Sequence, residues 1–282
     1  MTIQPPMLYH TLIGTSGPPV VFLAGLGGTT RYWERRVAPL SASHRLLLID
    51  LLGFGRSPKP WATYSVERHV AELHRVLDGR DNLTLVGHSF GAIAATAYAA
   101  RYPEAVARLA LISLPYFGSE AHAKSYFRSG AVSGGWLMTN VALAAVTCIV
   151  TRRVVRRALP RFMPDMPREI LDDLVLHTWR SSTSTLWEGI YRYDLARDID
   201  RLPAGLPVLL LHGDRDTTAP LEGALRFAAH HPSTRLIVLS GVDHHPLLRD
   251  SSSCLEAIRS FSMTRAALTP DTPAASSALA AA

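Results

Sequence analysis

The chain has 282 residues, 48% hydrophobic and 18% charged, an ordinary globular composition for a chain long enough to bury a full core. It has two cysteines, Cys148 and Cys254, in unrelated stretches, so neither a disulfide framework nor a zinc site is expected. The formal charge is +6, and its visible cluster is Arg152, Arg153, Arg156, Arg157 and Arg161; no zinc-finger, helix-turn-helix or RNA-binding signature accompanies it, so it reads as a solvated helix face, with no nucleic-acid partner.

Residues 1–4, followed by Pro5 and Pro6, lack the basic start and long apolar run of a secretory signal, so a cytoplasmic protein is expected. Residues 7–13 can add an antiparallel strand. Aliphatic and β-branched runs at 20–23, 45–49, 83–86, 109–112, 208–211 and 236–239 predict buried strands. Helical stretches such as 66–77 and 92–100 fall between them, which implies an α/β fold, a mostly parallel sheet with helices on both faces.

The alternation breaks between Pro115 and Pro203, where the chain turns helical and arginine-rich. A helical cap is expected at 115–203, inserted into a core formed by 1–114 and 204–263, with a disordered Ala/Ser/Thr/Pro tail at 264–282. Residues 129–151 carry no charge and precede the arginine cluster. The preferred reading is the apolar lining of a substrate pocket through Trp136, Leu137 and Leu143. A weak contact with a membrane surface comes second. A bilayer span is least favoured, because Gly130, Gly134, Gly135, Asn140 and several hydroxyls dilute the segment and an insertion within one sheet is hard to place across a membrane.

The strand at 83–86 runs into Gly87-His88-Ser89-Phe90-Gly91 and then into a small-residue helix, the layout of a nucleophile elbow. A serine in that strained turn leaves room only for glycine two residues to either side. A serine hydroxyl needs a base to attack a carbonyl, and the base needs a third group to fix its tautomer. Acid and histidine follow in that order, in His212-Gly213-Asp214-Arg215-Asp216-Thr217-Thr218-Ala219-Pro220 and Gly241-Val242-Asp243-His244-His245-Pro246, each after a predicted strand. His69, His74, His230 and His231 lack metal-ligand spacing, and neither a metal nor a cofactor is called for.

With these motifs the chain resembles the capped α/β-hydrolase family, in its serine hydrolase and esterase branch, from about Pro18 to Phe261 apart from the cap. The resemblance implies Ser89 as nucleophile, Asp216 as orienting acid and His244 as base, with Asp214 a turn residue and His245 an alternative base. It implies oxyanion donors in the backbone amides of Phe90 and, from Ala24-Gly25-Leu26-Gly27-Gly28, of Leu26, although Ala24 stands where the family has histidine. Gly25 and His88 are expected beside the substrate, and the Asp50 to Ser57 turn is structural. The expected function is hydrolysis of a small hydrophobic ester, lactone, thioester or carbon–carbon bond through an acyl-enzyme. A lyase, acyltransferase or cyclase on the same fold is the alternative, and a binding protein with a relict site the third reading.

Overall fold

The computed structural model describes residues 6–130, 134–154 and 157–263; the expected tail lies outside them. Among these residues seven strands form one sheet: β1 (His10–Ile13), β2 (Pro19–Leu23), β3 (Arg45–Ile49), β4 (Leu83–His88), β5 (Val106–Ile112), β6 (Val208–Gly213) and β7 (Thr234–Leu239), in the order β1-β3-β2-β4-β5-β6-β7. Only β1 is antiparallel, pairing Ile13 with Leu46 and His10 with Ile49. The central strands are buried at every position in β4 and β6, which is why they read as unbroken apolar runs rather than as alternation.

Helices cover both faces. On one lie α2 (Val66–Leu77), α3 (Phe90–Arg101) and α10 (Leu221–His230), and on the other the short α11 (Pro246–Arg249). Ser65 caps α2 by accepting the Arg68 amide, and Val66, His69, Val70, Leu73, Val76 and Leu77 form its buried stripe, at the spacing of one helix face. Helix α3 is buried almost all round; Ala92, Ala94, Ala95, Ala97 and Ala99 let its backbone lie close to its neighbours. The other face is covered by α1 (Thr30–Val37) and the C-terminal α12 (Ser251–Met263), whose Trp33, Cys254 and Ile258 pack on Val20, Phe22 and Leu48.

Among the described residues between β5 and β6 come only helices and turns: α4 (Glu120–Arg128), a 3-10 turn (Gly135–Thr139), α5 (Val141–Arg153), α6 (Leu159–Phe162), α7 (Arg168–Asp173), α8 (Trp179–Ser184), which continues as a π-helical stretch (Thr185–Tyr191), and α9 (Leu195–Ile199). Phe117, Phe127, Ala144, Leu186, Trp187 and Tyr191 form a separate small core for this cap. Helix α9 falls inside the expected cap span but packs with the main core through Leu195, Ile199, Leu202 and Leu206. Arg101 of α3 reaches Asp198 at 3.1 Å and so ties α9 to the core. The rest of the cap is held near the site by Asp173, which accepts bonds from Thr29 Oγ1 at 2.6 Å and Arg31 at 2.9 Å.

Trp136, Leu137 and Leu143 do not line the pocket. Trp136 and Leu143 face outward from the cap, and Leu137 folds back over Gly134. Helix α5 packs against α8 by turning its small residues inward, Ala144 being its buried position, so its larger side chains are left outside. Among the described residues no helix is long and apolar enough to cross a membrane.

Candidate active site

The site lies at the carboxyl ends of β2, β4, β6 and β7, beneath the cap. At the end of β4, Ser89 holds φ 53° and ψ −122°, a conformation that costs a non-glycine residue about 1–3 kcal/mol and persists only where its surroundings enforce it. They do so here. The Ser89 amide donates to the Ile112 carbonyl at 2.9 Å, and the Ala92 amide donates to the Ser89 carbonyl at 2.8 Å. A Cβ at Gly87 would sit 2.3 Å from the Gly91 carbonyl oxygen, and one at Gly91 would sit 2.2 Å from that of Leu23, so both glycines are required by contact.

The loops after β6 and β7 meet behind Ser89. A Cβ at Gly213 would lie 2.1 Å from the Val242 carbonyl oxygen, and Asp214 Oδ1 accepts the Gly241 amide at 2.6 Å; Asp214 thus clamps the two loops as a turn residue. Asp216 points inward. Its Oδ1 accepts the Thr218 and Ala219 amides at 2.9 and 2.8 Å, and its Oδ2 accepts His244 Nδ1–H at 2.8 Å. Burial pushes this carboxyl up, but the His244 bond and charge, with the Ala219 amide, outweigh it and hold it below the ordinary carboxylate range. An ionised Asp216 fixes the proton of His244 on Nδ1 and leaves Nε2 as an acceptor.

His244 and Ser89 line one cavity of about 330 Å³. No hydrogen bond joins them among the described residues; such contacts commonly tighten only in the complex with substrate. His245, the alternative base, lines the same cavity, but its Nδ1 is buried without a partner among the described residues. Burial, and then the charge of His244, push it down to about 4. The pairing with Asp216 goes to His244. Asp243, just before the base, does not have positive φ; it accepts the His245 amide at 2.9 Å and forms an ion pair with Arg249 at 2.7 Å.

His88 lies beside the cavity, stacked on Tyr32 at 4.8 Å between ring centres, and its Nε2–H donates to the His244 carbonyl at 2.8 Å. Burial and the neighbouring histidines hold it well below the usual imidazole range, so it stays a neutral strut between the elbow and the His244 loop. Gly25 approaches the elbow closely enough that a Cβ there would be 2.9 Å from Ser89 Cβ. A turn closed by Gly28 N–H to the Gly25 carbonyl at 2.9 Å, with Gly27 at φ 76°, carries Leu26 along the cavity wall. Ala24 is buried in this turn. Phe90 is the first residue of α3, where helix amides lack intrahelical acceptors and carry partial positive charge.

The roof of the cavity was not foreseen from the sequence. Phe117, Phe127, Met138, Met166, Leu186 and Ile190 are its main apolar surfaces. The i, i+4 pair Leu186 and Ile190 carries a helical signal, but one that does not distinguish a pocket wall from the core. His69 stacks edge-on against Phe90 at 4.9 Å, buried beneath the elbow.

A family model described as the alpha/beta hydrolase fold matches residues 18–131, and one described as TAP-like protein matches residues 188–272. Over 263 residues the chain is 28% identical to an uncharacterised protein of Mycobacterium tuberculosis, covering 88% of this chain and 76% of that protein. It is 26% identical over 260 residues to the probable lysophospholipase BODYGUARD 5 of Arabidopsis thaliana, covering 81% of this chain and 58% of the plant protein. Its fold is similar to that of an esterase from Exiguobacterium antarcticum, with a TM-score of 0.71 at 19% identity, over 91% of this chain and 96% of that one. With its parallel sheet, its elbow and the helices inserted between β5 and β6, the chain has the α/β-hydrolase fold.

Proposed function

We propose that this protein is a serine hydrolase that cleaves a small hydrophobic ester or a related activated carbonyl compound through an acyl-enzyme on Ser89. Ser89 Oγ attacks the carbonyl carbon while His244 Nε2 takes its proton. Asp216 keeps the imidazole in the required tautomer and stabilises the imidazolium. The oxyanion is met by the backbone amides of Phe90 and Leu26, fixed dipoles that need no reorganisation as charge develops. His244 then protonates the leaving group, and water, activated by the same histidine, releases the acid and restores Ser89.

The observation that carries this reading is the 2.8 Å pair of His244 and buried Asp216, opening on the cavity that also holds Ser89 at positive φ. That cavity, about 330 Å³, is at the small end of the roughly 300–1,000 Å³ range of ligand sites. Its aromatic, aliphatic and methionine lining suits a short or medium acyl group, and Met138, Met163 and Met166 give it adaptable surfaces. The names of the esterase and lysophospholipase relatives agree with an ester substrate.

The test is turnover of p-nitrophenyl esters from acetate to dodecanoate by the wild type and Ser89→Ala. The reading requires a maximum at short or medium length and its loss in the variant. Turnover unchanged in Ser89→Ala would refute it. A wild type that is acylated but passes the group only to an added alcohol or amine would make the protein an acyltransferase.

A further inference from the structure

Helix α5 presents the wrong face to water. Its inward side is small: Ala144 packs into the cap core, and Cys148, one turn on, has Sγ 3.6 Å from His177 Nδ1. Its outward side carries Leu143, Val146 and Val150, with Val154 just beyond; Val146 is 57% exposed and Val154 72%. These positions recur at helical spacing and make one continuous stripe. Val141 and Trp136, 57% exposed, extend it at the amino end. Scattered exposed apolar residues need no explanation, but a contiguous stripe marks a surface that something covers.

The charge around the stripe indicates what covers it. Residues 129–164 contain five arginines and no aspartate or glutamate. Arg153, seven residues from Val146, continues the outward face, and Arg157 and Arg161 follow, all exposed and with no ion pair among the described residues. In a symmetric contact between two copies the same patch meets itself, which would bring these arginines together. At about 20 Å, α5 is too short to cross the roughly 30 Å hydrocarbon layer. An apolar stripe with an aromatic end and a basic margin fits a helix lying in the plane of an anionic lipid surface.

We propose that α5 docks the protein on anionic membrane surfaces, its valine and leucine stripe entering the headgroup boundary and its arginines pairing with lipid phosphates. Met138 and Met163, on the segments before and after α5, line the catalytic cavity, so docking sets the roof of the cavity against the lipid. The proposal does not depend on the hydrolase reading.

It is tested by sedimentation of the full chain with vesicles of phosphatidylcholine alone and with phosphatidylglycerol added. The wild type and Ser89→Ala should both pellet with the anionic vesicles, and salt should release them. Val146→Asp with Val150→Asp should lower the partition coefficient at least about tenfold. Arg153→Gln with Arg157→Gln should lower it by about tenfold or more and flatten the salt dependence. The arginine pair keeps the test decisive if the valine pair impairs folding, which thermal melting would show. Wild type left in the supernatant with both vesicles would overturn the proposal, as would binding undiminished in both double variants. So would a wild-type dimer that the valine pair converts to monomer.

Discussion

The two walls of the catalytic cavity are built on different physical terms. The floor, at the ends of β2, β4, β6 and β7, is fixed by backbone: Ser89 is pinned by two main-chain bonds, Gly87, Gly91 and Gly213 sit where any side chain would collide with a carbonyl, and Asp216 is held by two amides and one imidazole. The roof is made of side chains from short cap helices, methionines among them, and is tied near the floor through Asp173. A reacting centre loses rate when displaced by an ångström, whereas an apolar roof can repack at modest cost. Under the proposed mechanism, the contrast puts the chemistry on the rigid wall and substrate choice on the adjustable one.

The sharpest way to break this contrast is Asp216→Asn, which leaves the shape of the floor intact but favours the wrong tautomer of His244. Its kcat on the preferred p-nitrophenyl ester should fall by about 10⁴-fold with an unchanged melting temperature within a few degrees. Next comes Gly91→Ala. Its Cβ would start 2.2 Å from the Leu23 carbonyl oxygen, so the elbow or β2 must move, at a cost of about 3 kcal/mol in stability, measured by chemical denaturation.

A pH experiment probes the floor from another side. His245 is held down to about 4 by burial and by His244, against an ordinary value near 6.5. Above pH 6.5 neither the folded nor the unfolded chain binds that proton. As pH falls below 6.5 the unfolded chain takes it up and the folded chain refuses it, so stability drops, by about 2 kcal/mol between pH 7 and pH 5. Denaturation of His245→Gln at the two pH values should show a smaller loss by about that amount. The smallest effect belongs to the roof. Ile190→Ala enlarges the cavity and should shift the optimum of an ester series toward longer chains, changing relative kcat/KM by about tenfold without altering reactivity toward a fluorophosphonate.

The same contrast explains what the sequence made legible. Strands β2 to β6 are buried nearly throughout and therefore appear as uninterrupted aliphatic runs, while the edge strand β7 is only half-buried and is read from its aliphatic end at 236–239; the residues of the floor follow these runs. Ser89 stood out because its strained turn also needs glycine at Gly87 and Gly91, whereas Asp216 and His244 were singled out through the family resemblance, by their order after the strands β6 and β7. Helix α1 was missed because its sequence, TRYWERRV, carries four charges within eight residues, and α12 because its buried positions Cys254, Ile258 and Ser262 are a thin stripe. For Leu143 the failure has a plain cause: α5 is apolar nearly all round, so periodicity cannot say which side is inward. Packing against α8 selected the small side, sending Leu143 outward and leaving the roof to Phe117, Phe127 and the methionines.

The central claim is a covalent acyl-enzyme on Ser89, and its most direct test is intact-mass analysis of the protein quenched in acid during turnover of a medium-chain p-nitrophenyl ester, followed by peptide mapping. The account predicts one added acyl group per chain, located on the peptide containing Ser89, absent in Ser89→Ala and formed far more slowly in His244→Ala. Steady turnover with Ser89→Ala as active as the wild type, or an acyl group mapped to another residue, would contradict it.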